Sequence, residues 1–278
     1  MLGSGGRLLL LLAAVVLASC SGSDWEARNP PDAIPNVTFN SPTYSDAESV
    51  WRQARIAVPV RGTTGSIITT NDPYLTVYNL TGTSPGTKWP VLLAFSGCSQ
   101  TIGDRFMKAM AEQGFIVLQI DGRHRVQEPF ICDATKSLSA RAAEDMRARQ
   151  ATLSFALSAL KAKSWVDLNN IYVLGMWEAA PAVAHLYGRD VRGRILMEWD
   201  CSGAPSVYGL RDAESIPTFS VTSANVPALG GGCAAKFGGN RLSQNLFLPS
   251  HFPQDILVEP IVFTKLLKFL DLQLFRQN

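Results

Sequence analysis

The chain alternates between short apolar runs and longer segments in which apolar residues recur every three or four positions. The short runs are rich in branched and aromatic residues, as expected of strands that are buried on both faces. They predict strands at residues 90–95, 114–121, 170–175, 193–199 and 216–223. Two weaker runs, at residues 54–62 and 74–82, predict an antiparallel edge.

Helical periodicity appears between these strands. It predicts helices at residues 103–113, 139–163, 178–188 and 259–275. Strands that alternate with helices form a parallel sheet with right-handed crossovers. We therefore predict a three-layer α/β sandwich with a mostly parallel sheet, which binds ligands at the carboxyl ends of its strands.

The N-terminus has the pattern of a targeting segment. Arg7 precedes an apolar run at residues 8–17, which is too short to span a bilayer. The run ends in "LASC" at Cys20, which resembles the lipobox of bacterial lipoproteins, in which the cysteine is diacylated. An ordinary signal peptide that contains a cysteine is the alternative.

This N-terminal pattern predicts three parts of the chain. We expect a signal peptide at residues 1–19, the lipidated Cys20 with a proline-rich tether to residue 45, and a folded domain at 46–278. The resemblance implies the bacterial cell envelope, and Ser21 after the cysteine implies an outer-membrane lipoprotein that faces the periplasm. The first partner would be the membrane, bound through the N-terminal lipid.

Composition excludes some classes of function. Hydrophobic residues make up 46% of the chain and charged residues 17%, which suits a globular protein with a sizeable core. The net charge is only +2, without a long basic block, so no nucleic-acid partner is expected. Three histidines on separate segments do not predict a metal site, and no motif implies a cofactor.

The cysteines other than Cys20 are even in number, which favours two disulfides in an exported protein. Three pairings are open to four cysteines. We favour the sequential pairs Cys98–Cys132 and Cys201–Cys233, each of which closes a loop of about 30 residues.

Four segments together resemble the α/β-hydrolase superfamily, and within it the exported dienelactone-hydrolase-like branch. They are "FSGCSQ" at 95–100, "GFIVLQIDGRHR" at 114–125, "VDLNNIYVLGMWEAA" at 166–180 and "PSHFPQD" at 249–255. The resemblance covers about residues 70–275. It implies a hydrolase fold whose nucleophile lies on a strained turn, the elbow, between a strand and a helix.

The catalytic triad that the resemblance implies is degenerate. The nucleophile position falls on Trp177, and an indole has no hydroxyl or thiol that a base could activate. The acid's turn falls on Ser223, Ala224 and Asn225, none of which is a carboxylate. His251 matches the catalytic base, but it has neither an acid to orient it nor a nucleophile to deprotonate.

The oxyanion hole does not depend on those side chains. The resemblance implies backbone donors at Glu178 and near Gly97 or Cys98. Glu178 is either a rescued acid or, more simply, a carboxylate that complements a helix dipole. Ser96 and Ser99 are either displaced nucleophiles or loop serines that cap the following helix.

The remaining candidates concern a pocket. Arg123, with His124 and Arg125, could bind an anionic ligand, and Asp121 could pair with one of the arginines. The favoured alternative is a solvated loop that is braced to Cys132. Glu198 and Asp200 are the nearest carboxylates, with an expected role at the surface or in substrate contact. Trp199, with Trp177 and Trp165, could line an aromatic cleft; the alternative is that Trp177 plugs the vacated pocket.

These observations favour a non-enzymatic reading of a hydrolase fold. The expected function is a binding or scaffolding module at the cell envelope, with an unknown small ligand or an envelope protein as partner. The alternative is a dienelactone-hydrolase-like ester or lactone hydrolase that uses a displaced nucleophile such as Ser96.

Overall fold

An eight-stranded sheet forms the centre of the computed structural model. The structure describes residues 42–60, 66–70, 77–98, 101–125, 130, 132–188, 190–203, 207–224, 226, 232–249 and 256–274. The strands are β1 (Arg55–Pro59), β2 (Ser66–Thr70), β3 (Trp89–Phe95), β4 (Ile116–Ile120), β5 (Val166–Met176), β6 (Gly193–Met197), β7 (Thr218–Ser223) and β8 (Gln244–Leu248). The helices are α1 (Pro42–Arg52), α2 (Val77–Thr81), α3 (Asp104–Glu112), α4 (Leu138–Lys161), α5 (Ala180–Ala184) and α6 (Pro260–Leu274).

The strand order is β2-β1-β4-β3-β5-β6-β7-β8. All neighbours from β4 to β8 are parallel, whereas β1 is antiparallel to both β2 and β4. The five predicted buried strands are therefore confirmed, with ends that shift by a few residues. The expected antiparallel edge is also present, with β1 inside it and β2 outermost.

Helices cover both faces of the sheet, as predicted for a three-layer sandwich. Alternate residues of β3 divide between two apolar cores, with Leu93 in one and Leu92 in the other. The first core packs against α1, α4 and α5, and the second packs against α3 and α6. This layering leaves the carboxyl ends of the parallel strands at one edge, where the site was expected.

Several elements differ from the sequence prediction. The strand expected at residues 74–82 is wrong for 77–81, which form α2; residues 74–76 lie outside the described residues. Val77 and Thr81 are both buried one helical turn apart, and the Thr81 hydroxyl donates to the Val77 carbonyl at 2.9 Å. The predicted helix at 178–188 is shorter, because a 3₁₀ turn takes its first residues.

Three further elements were not predicted. Helix α1 begins in the segment that was predicted as a tether, and β2 and β8 are short strands. Strand β8 lies at the sheet edge, and its side chains are half-buried or exposed except for the buried Leu248. Helix α1 begins at Pro42, so the last four residues of the predicted tether are helical. Cys20 and the predicted signal peptide lie outside the described residues. All described residues belong to one compact unit, Phe39–Asn278.

Both favoured disulfides are present. Cys98 pairs with Cys132, with a Cα–Cα distance of 5.4 Å, and Cys201 pairs with Cys233, with a distance of 4.9 Å. The first ties the loop after β3 to the segment that precedes α4, and the second ties the loop after β6 to the segment that precedes β8. Within the described part of the chain, no helix combines the length and apolarity needed to span a membrane.

Candidate functional site

The turn after β5 has the strained geometry of a nucleophile elbow. Trp177 has a φ of 56°, and it begins a 3₁₀ turn that leads directly into α5. A left-handed backbone costs an ordinary L-residue about 1–2 kcal/mol, and a bulky residue there is a genuine outlier. Gly175 is also required, because a Cβ there would lie 2.7 Å from Val183 Cγ2 and 2.8 Å from Ala180 Cα.

The indole of Trp177 is half-buried and packs against the apolar core on the α3 and α6 face. It offers no hydroxyl or thiol, so the elbow presents a side chain that cannot attack a carbonyl carbon. The turn therefore has the backbone geometry of an elbow and carries a side chain without a nucleophilic group.

The three residues predicted for the oxyanion hole lie together, but the donor after β3 is already occupied. The backbone N–H of Cys98 donates to Glu178 Oε2 at 2.9 Å. The fit is tight, since a Cβ on Gly97 would lie 2.4 Å from the same oxygen and 2.9 Å from Trp177 Cβ. The Glu178 carboxylate thus occupies the backbone donor that was predicted for the oxyanion hole.

Arg141 of α4 forms an ion pair with the Glu178 carboxylate. Its Nη1 lies 2.8 Å from Glu178 Oε1, and the Glu178 side chain has no solvent exposure. The sequence predicted Glu178 as an oxyanion-hole backbone donor whose carboxylate is either a rescued acid or a complement to the helix dipole, and it did not predict Arg141. No local sequence signal joins them, because the pair depends on how α4 packs against the elbow.

The turn that was predicted to hold the catalytic acid contains no carboxylate, but a carboxylate that follows the neighbouring strand β6 contacts it. The Ser223 hydroxyl, at the end of β7, donates to Glu198 Oε2 at 2.7 Å. Glu198 follows β6 with a φ of 56° and is 2% exposed. Burial raises the pKa of Glu198, against the lowering effect of its hydrogen bonds from Ser223.

Glu198 and Asp200 are therefore not surface residues, and the expectation of a surface role was wrong. Asp200 is 5% exposed, and its Oδ1 accepts hydrogen bonds from the Ser202 backbone and hydroxyl.

Elsewhere in the turn that was predicted to hold the catalytic acid, the Ala224 N–H donates to the Leu248 carbonyl at 3.1 Å. Asn225 and His251 lie outside the described residues.

Ser96 is buried in the loop after β3. It is 1% exposed, and its hydroxyl oxygen accepts from the Ile102 N–H at 3.3 Å and from Gln119 Nε2 at 3.2 Å. These contacts favour a loop-bracing role over that of a displaced nucleophile. Ser99 lies outside the described residues.

The two arginines after β4, Arg123 and Arg125, bind different partners. Arg123 is exposed and donates to Asp121 at 2.9 Å, as one sequence reading anticipated. Arg125 is instead buried, with its Nη2 3.5 Å from an Asp46 oxygen and its Nη1 donating to Thr152 Oγ1 at 3.1 Å. They do not form a single anion site.

The tryptophans do not line one cleft. Trp165 and Trp199 are buried in the core on the α4 face, and the Trp199 indole N–H donates to the Ser202 carbonyl at 3.0 Å. Trp177 packs on the opposite face of the sheet. The expectation of a shared aromatic cleft was therefore wrong.

A cavity of about 590 Å³ lies away from the elbow, at the amino-terminal edge of the sheet. Residues that precede or begin β5, β6, β7 and β8 line it, among them Asn169, Arg192, Pro217 and Leu242. Within the described ranges, no group of histidines, cysteines and carboxylates could hold a metal ion.

Comparison with known proteins gave matches among solved structures only. No family model matches the chain, and neither does any curated protein sequence. A dienelactone hydrolase-like promiscuous phosphotriesterase from metagenomic libraries is 16% identical, with 79% of this chain and 99% of that chain covered and a TM-score of 0.49. An acetyl xylan esterase from Paenibacillus sp. R4 is 14% identical, with 86% and 96% covered and a TM-score of 0.48. A sugar hydrolase from Lactococcus lactis is 14% identical, with 79% and 97% covered and a TM-score of 0.45.

The sheet order, the two helical layers and the turn after β5 together define the fold of this chain. Its strands β3 to β8 form a parallel sheet in the order β4-β3-β5-β6-β7-β8, and helices cover both faces. A strained turn joins β5 to the following helix, with close packing at Gly175. The chain has an α/β-hydrolase fold.

Proposed function

We propose that this protein is a catalytically degenerate member of the α/β-hydrolase fold that acts as a binding or scaffolding module at the cell envelope. The observation that carries the proposal is the state of the elbow. Trp177 stands where a nucleophile would be, and the neighbouring backbone donor at Cys98 is bound by Glu178.

These two features remove separate parts of acyl transfer. Loss of the nucleophile alone lowers turnover by about a millionfold in known triads, leaving only catalysis by the oxyanion hole and binding. Here the Glu178 carboxylate lies where an oxyanion would be stabilised, so a substrate oxygen would meet a negative charge. The residual catalysis by the oxyanion hole is therefore disfavoured as well.

The envelope location derives from the "LASC" segment that ends at Cys20. Lipidation there would hold the domain at a membrane through more than one acyl chain, which gives stable anchoring. The partner would be a small ligand or an envelope protein. Mass spectrometry of the mature protein tests this location, since it should show acyl chains on Cys20 that a Cys20→Ser variant lacks.

Catalytic degeneracy is tested by a fluorophosphonate probe together with short p-nitrophenyl esters. The purified protein should show neither covalent labelling nor ester turnover, with cooperative unfolding as evidence that it is folded. Labelling or turnover that Ser96→Ala abolishes would overturn the proposal and establish the displaced-nucleophile hydrolase.

Variants separate the two features of the elbow. Trp177→Ser restores a hydroxyl but leaves the Cys98 N–H bound to Glu178, so it should label very slowly. Trp177→Ser combined with Glu178→Ala frees the donor and should label faster, by a factor on the order of a hundred for one oxyanion donor. Equal rates for the two variants would mean that Glu178 does not block the hole.

The hydrolase alternative has one observation in its favour, which is the Glu198 carboxylate at the acid's turn. If that carboxylate served a displaced catalytic centre, any measured ester turnover would fall in Glu198→Gln. Turnover that Glu198→Gln leaves unchanged would remove this support.

A further inference from the structure

The two disulfides lie in contrasting surroundings. Cys201 and Cys233 are both fully buried within the apolar core on the α4 face. In the other disulfide, Cys132 is exposed and Cys98 is 8% exposed. A thiolate from solution can therefore reach the Cys132 sulfur, whereas the Cys201–Cys233 bridge is enclosed.

A buried cation contacts the inner sulfur of the exposed disulfide. Arg149 of α4 donates from Nη2 to Cys98 Sγ at 3.3 Å, and its side chain has no solvent exposure. Its guanidinium also lies 3.9 Å from the centre of the Phe130 ring. Arg149 Nε and Nη1 have no hydrogen-bond partner among the described residues. An arginine so placed would stabilise a thiolate on Cys98.

Carboxylates near Cys98 offset part of this effect. Glu178 faces Arg141 and Asp46 faces Arg125, whereas Asp145 shares Arg149, because its Oδ2 lies 3.2 Å from the same Nη2. Glu178 contacts the Cys98 backbone N–H through Oε2. Arg149 contacts the sulfur itself, since its Nη2 donates directly to Cys98 Sγ.

We infer that Cys98–Cys132 is a redox-active disulfide that exchanges with dithiols, with Cys132 as the sulfur attacked and Cys98 as the leaving thiolate. A thiolate of the dithiol attacks Cys132 Sγ, the Cys98–Cys132 bond breaks, and the electron pair leaves on Cys98. The second thiol of the dithiol, deprotonated, then displaces Cys132. The dithiol becomes a disulfide, and two electrons and two protons reduce the cysteine pair.

This inference goes beyond the proposed function and does not depend on it, because neither an ester substrate nor the elbow's indole takes part. It assigns a partner of defined chemistry, a dithiol, to a part of the molecule that sequence reasoning treated as purely structural. A lower thiol pKa in the leaving cysteine speeds exchange, so the contact with Arg149 favours Cys98 as the leaving sulfur.

Selective reduction tests the inference. The full chain with Cys20→Ser would be equilibrated with graded ratios of reduced to oxidised dithiothreitol, quenched in acid, alkylated under denaturing conditions and mapped by mass spectrometry. Cys98 and Cys132 should label together while Cys201 and Cys233 remain oxidised. Opening of both bridges at the same ratio, or of Cys201–Cys233 first, would overturn the inference.

A second measurement separates thiolate stabilisation from simple exposure. In a Cys132→Ser variant, Cys98 is a free thiol, and the ultraviolet absorbance of its thiolate reports its pKa directly. That pKa should lie below the ordinary thiol value of about 8.5, and a value at or above it would overturn the inference. Arg149→Met should raise it towards the ordinary value, whereas Arg149→Lys should keep most of the lowering.

Discussion

Two buried glutamates lie after neighbouring strands, and the fold accommodates them in opposite ways. Glu178 follows the elbow of β5, where Arg141 faces one oxygen and the Cys98 N–H donates to the other. Glu198 follows β6 and, among the described residues, accepts only from Ser223, while burial raises its pKa. One carboxylate is stabilised by a cation, and the other is pushed towards its neutral form.

The backbone is strained at both places. Trp177 and Glu198 each have a φ of 56°, which neither residue type adopts readily. Strain of this kind persists where surrounding structure enforces it, and here it persists at an elbow that has no nucleophile. The sheet and its helices therefore hold both turns in a left-handed conformation with a tryptophan at one turn and a glutamate at the other.

The largest expected effect separates the two glutamates directly. Glu178→Gln leaves Arg141 as an uncompensated and largely buried cation, and should lower the free energy of unfolding by about 3 kcal/mol. Glu198→Gln keeps an acceptor for Ser223 and removes only a carboxyl that burial already disfavours as an anion. It should change the free energy by less than about 1 kcal/mol.

Urea denaturation of both variants at neutral pH measures the difference. Arg141→Met combined with Glu178→Gln is the control, since it removes the unpaired cation and should recover part of the loss. Equal destabilisation by the two single glutamine variants would mean that Arg141 does not distinguish the two sites.

A smaller difference in stability should distinguish the strained elbow from an ordinary helical position. Trp177→Gly and Trp177→Ala both lose the indole, but only alanine keeps the left-handed penalty, so the glycine variant should be more stable by about 1 kcal/mol. At Ala143, within α4, the order should reverse, because glycine in a helix costs about 1 kcal/mol relative to alanine. Thermal unfolding of the three variants tests this, and an alanine advantage at 177 would argue against strain there.

The pH dependence of stability should sharpen the comparison further. Because the pKa of Glu198 is raised above its ordinary value of 4.5, the folded state keeps this proton at pH values where the unfolded chain has lost it. The contribution of Glu198 to stability is therefore present below pH 4.5 and declines as pH rises towards the folded-state pKa. Glu198→Gln should lack this decline, so the two proteins should converge in stability at acidic pH; parallel curves would contradict the assignment.

The sequence predicts the central fold because its signals are local. Strands β3, β4 and β6 and the second half of β5 are mostly buried and contain near-continuous apolar runs. Strand β7 is buried but alternates Phe219 and Val221 with serine and threonine, and Gly175 marks the elbow. Edge strand β8 was not predicted, because its side chains are half-buried or exposed except for Leu248 and it lacks a continuous apolar run. Helix α2 was mistaken for a strand, since five residues with two β-branched side chains show no clear helical period.

The candidate site was predicted less completely because its key contacts are non-local. Trp177 and the missing acid are visible as residue types in a motif. The bond from Cys98 to Glu178 joins residues that are 80 positions apart, and the Glu198–Ser223 bond crosses between two strands. Their formation depends on the packing of the folded sheet, which residue order alone does not specify.

The half-buried indole of Trp177 has a practical consequence as an optical reporter. Trp51, Trp165 and Trp199 are 8%, 5% and 1% exposed, so collisional quenchers in solution reach them poorly. Trp89 is half-buried but begins β3, at the amino-terminal end of that strand. Trp177 instead stands at the carboxyl edge of the sheet with part of its ring open to solvent. Its emission, isolated by subtraction of a Trp177→Phe spectrum, would register any molecule that approaches this edge without the need for an attached dye.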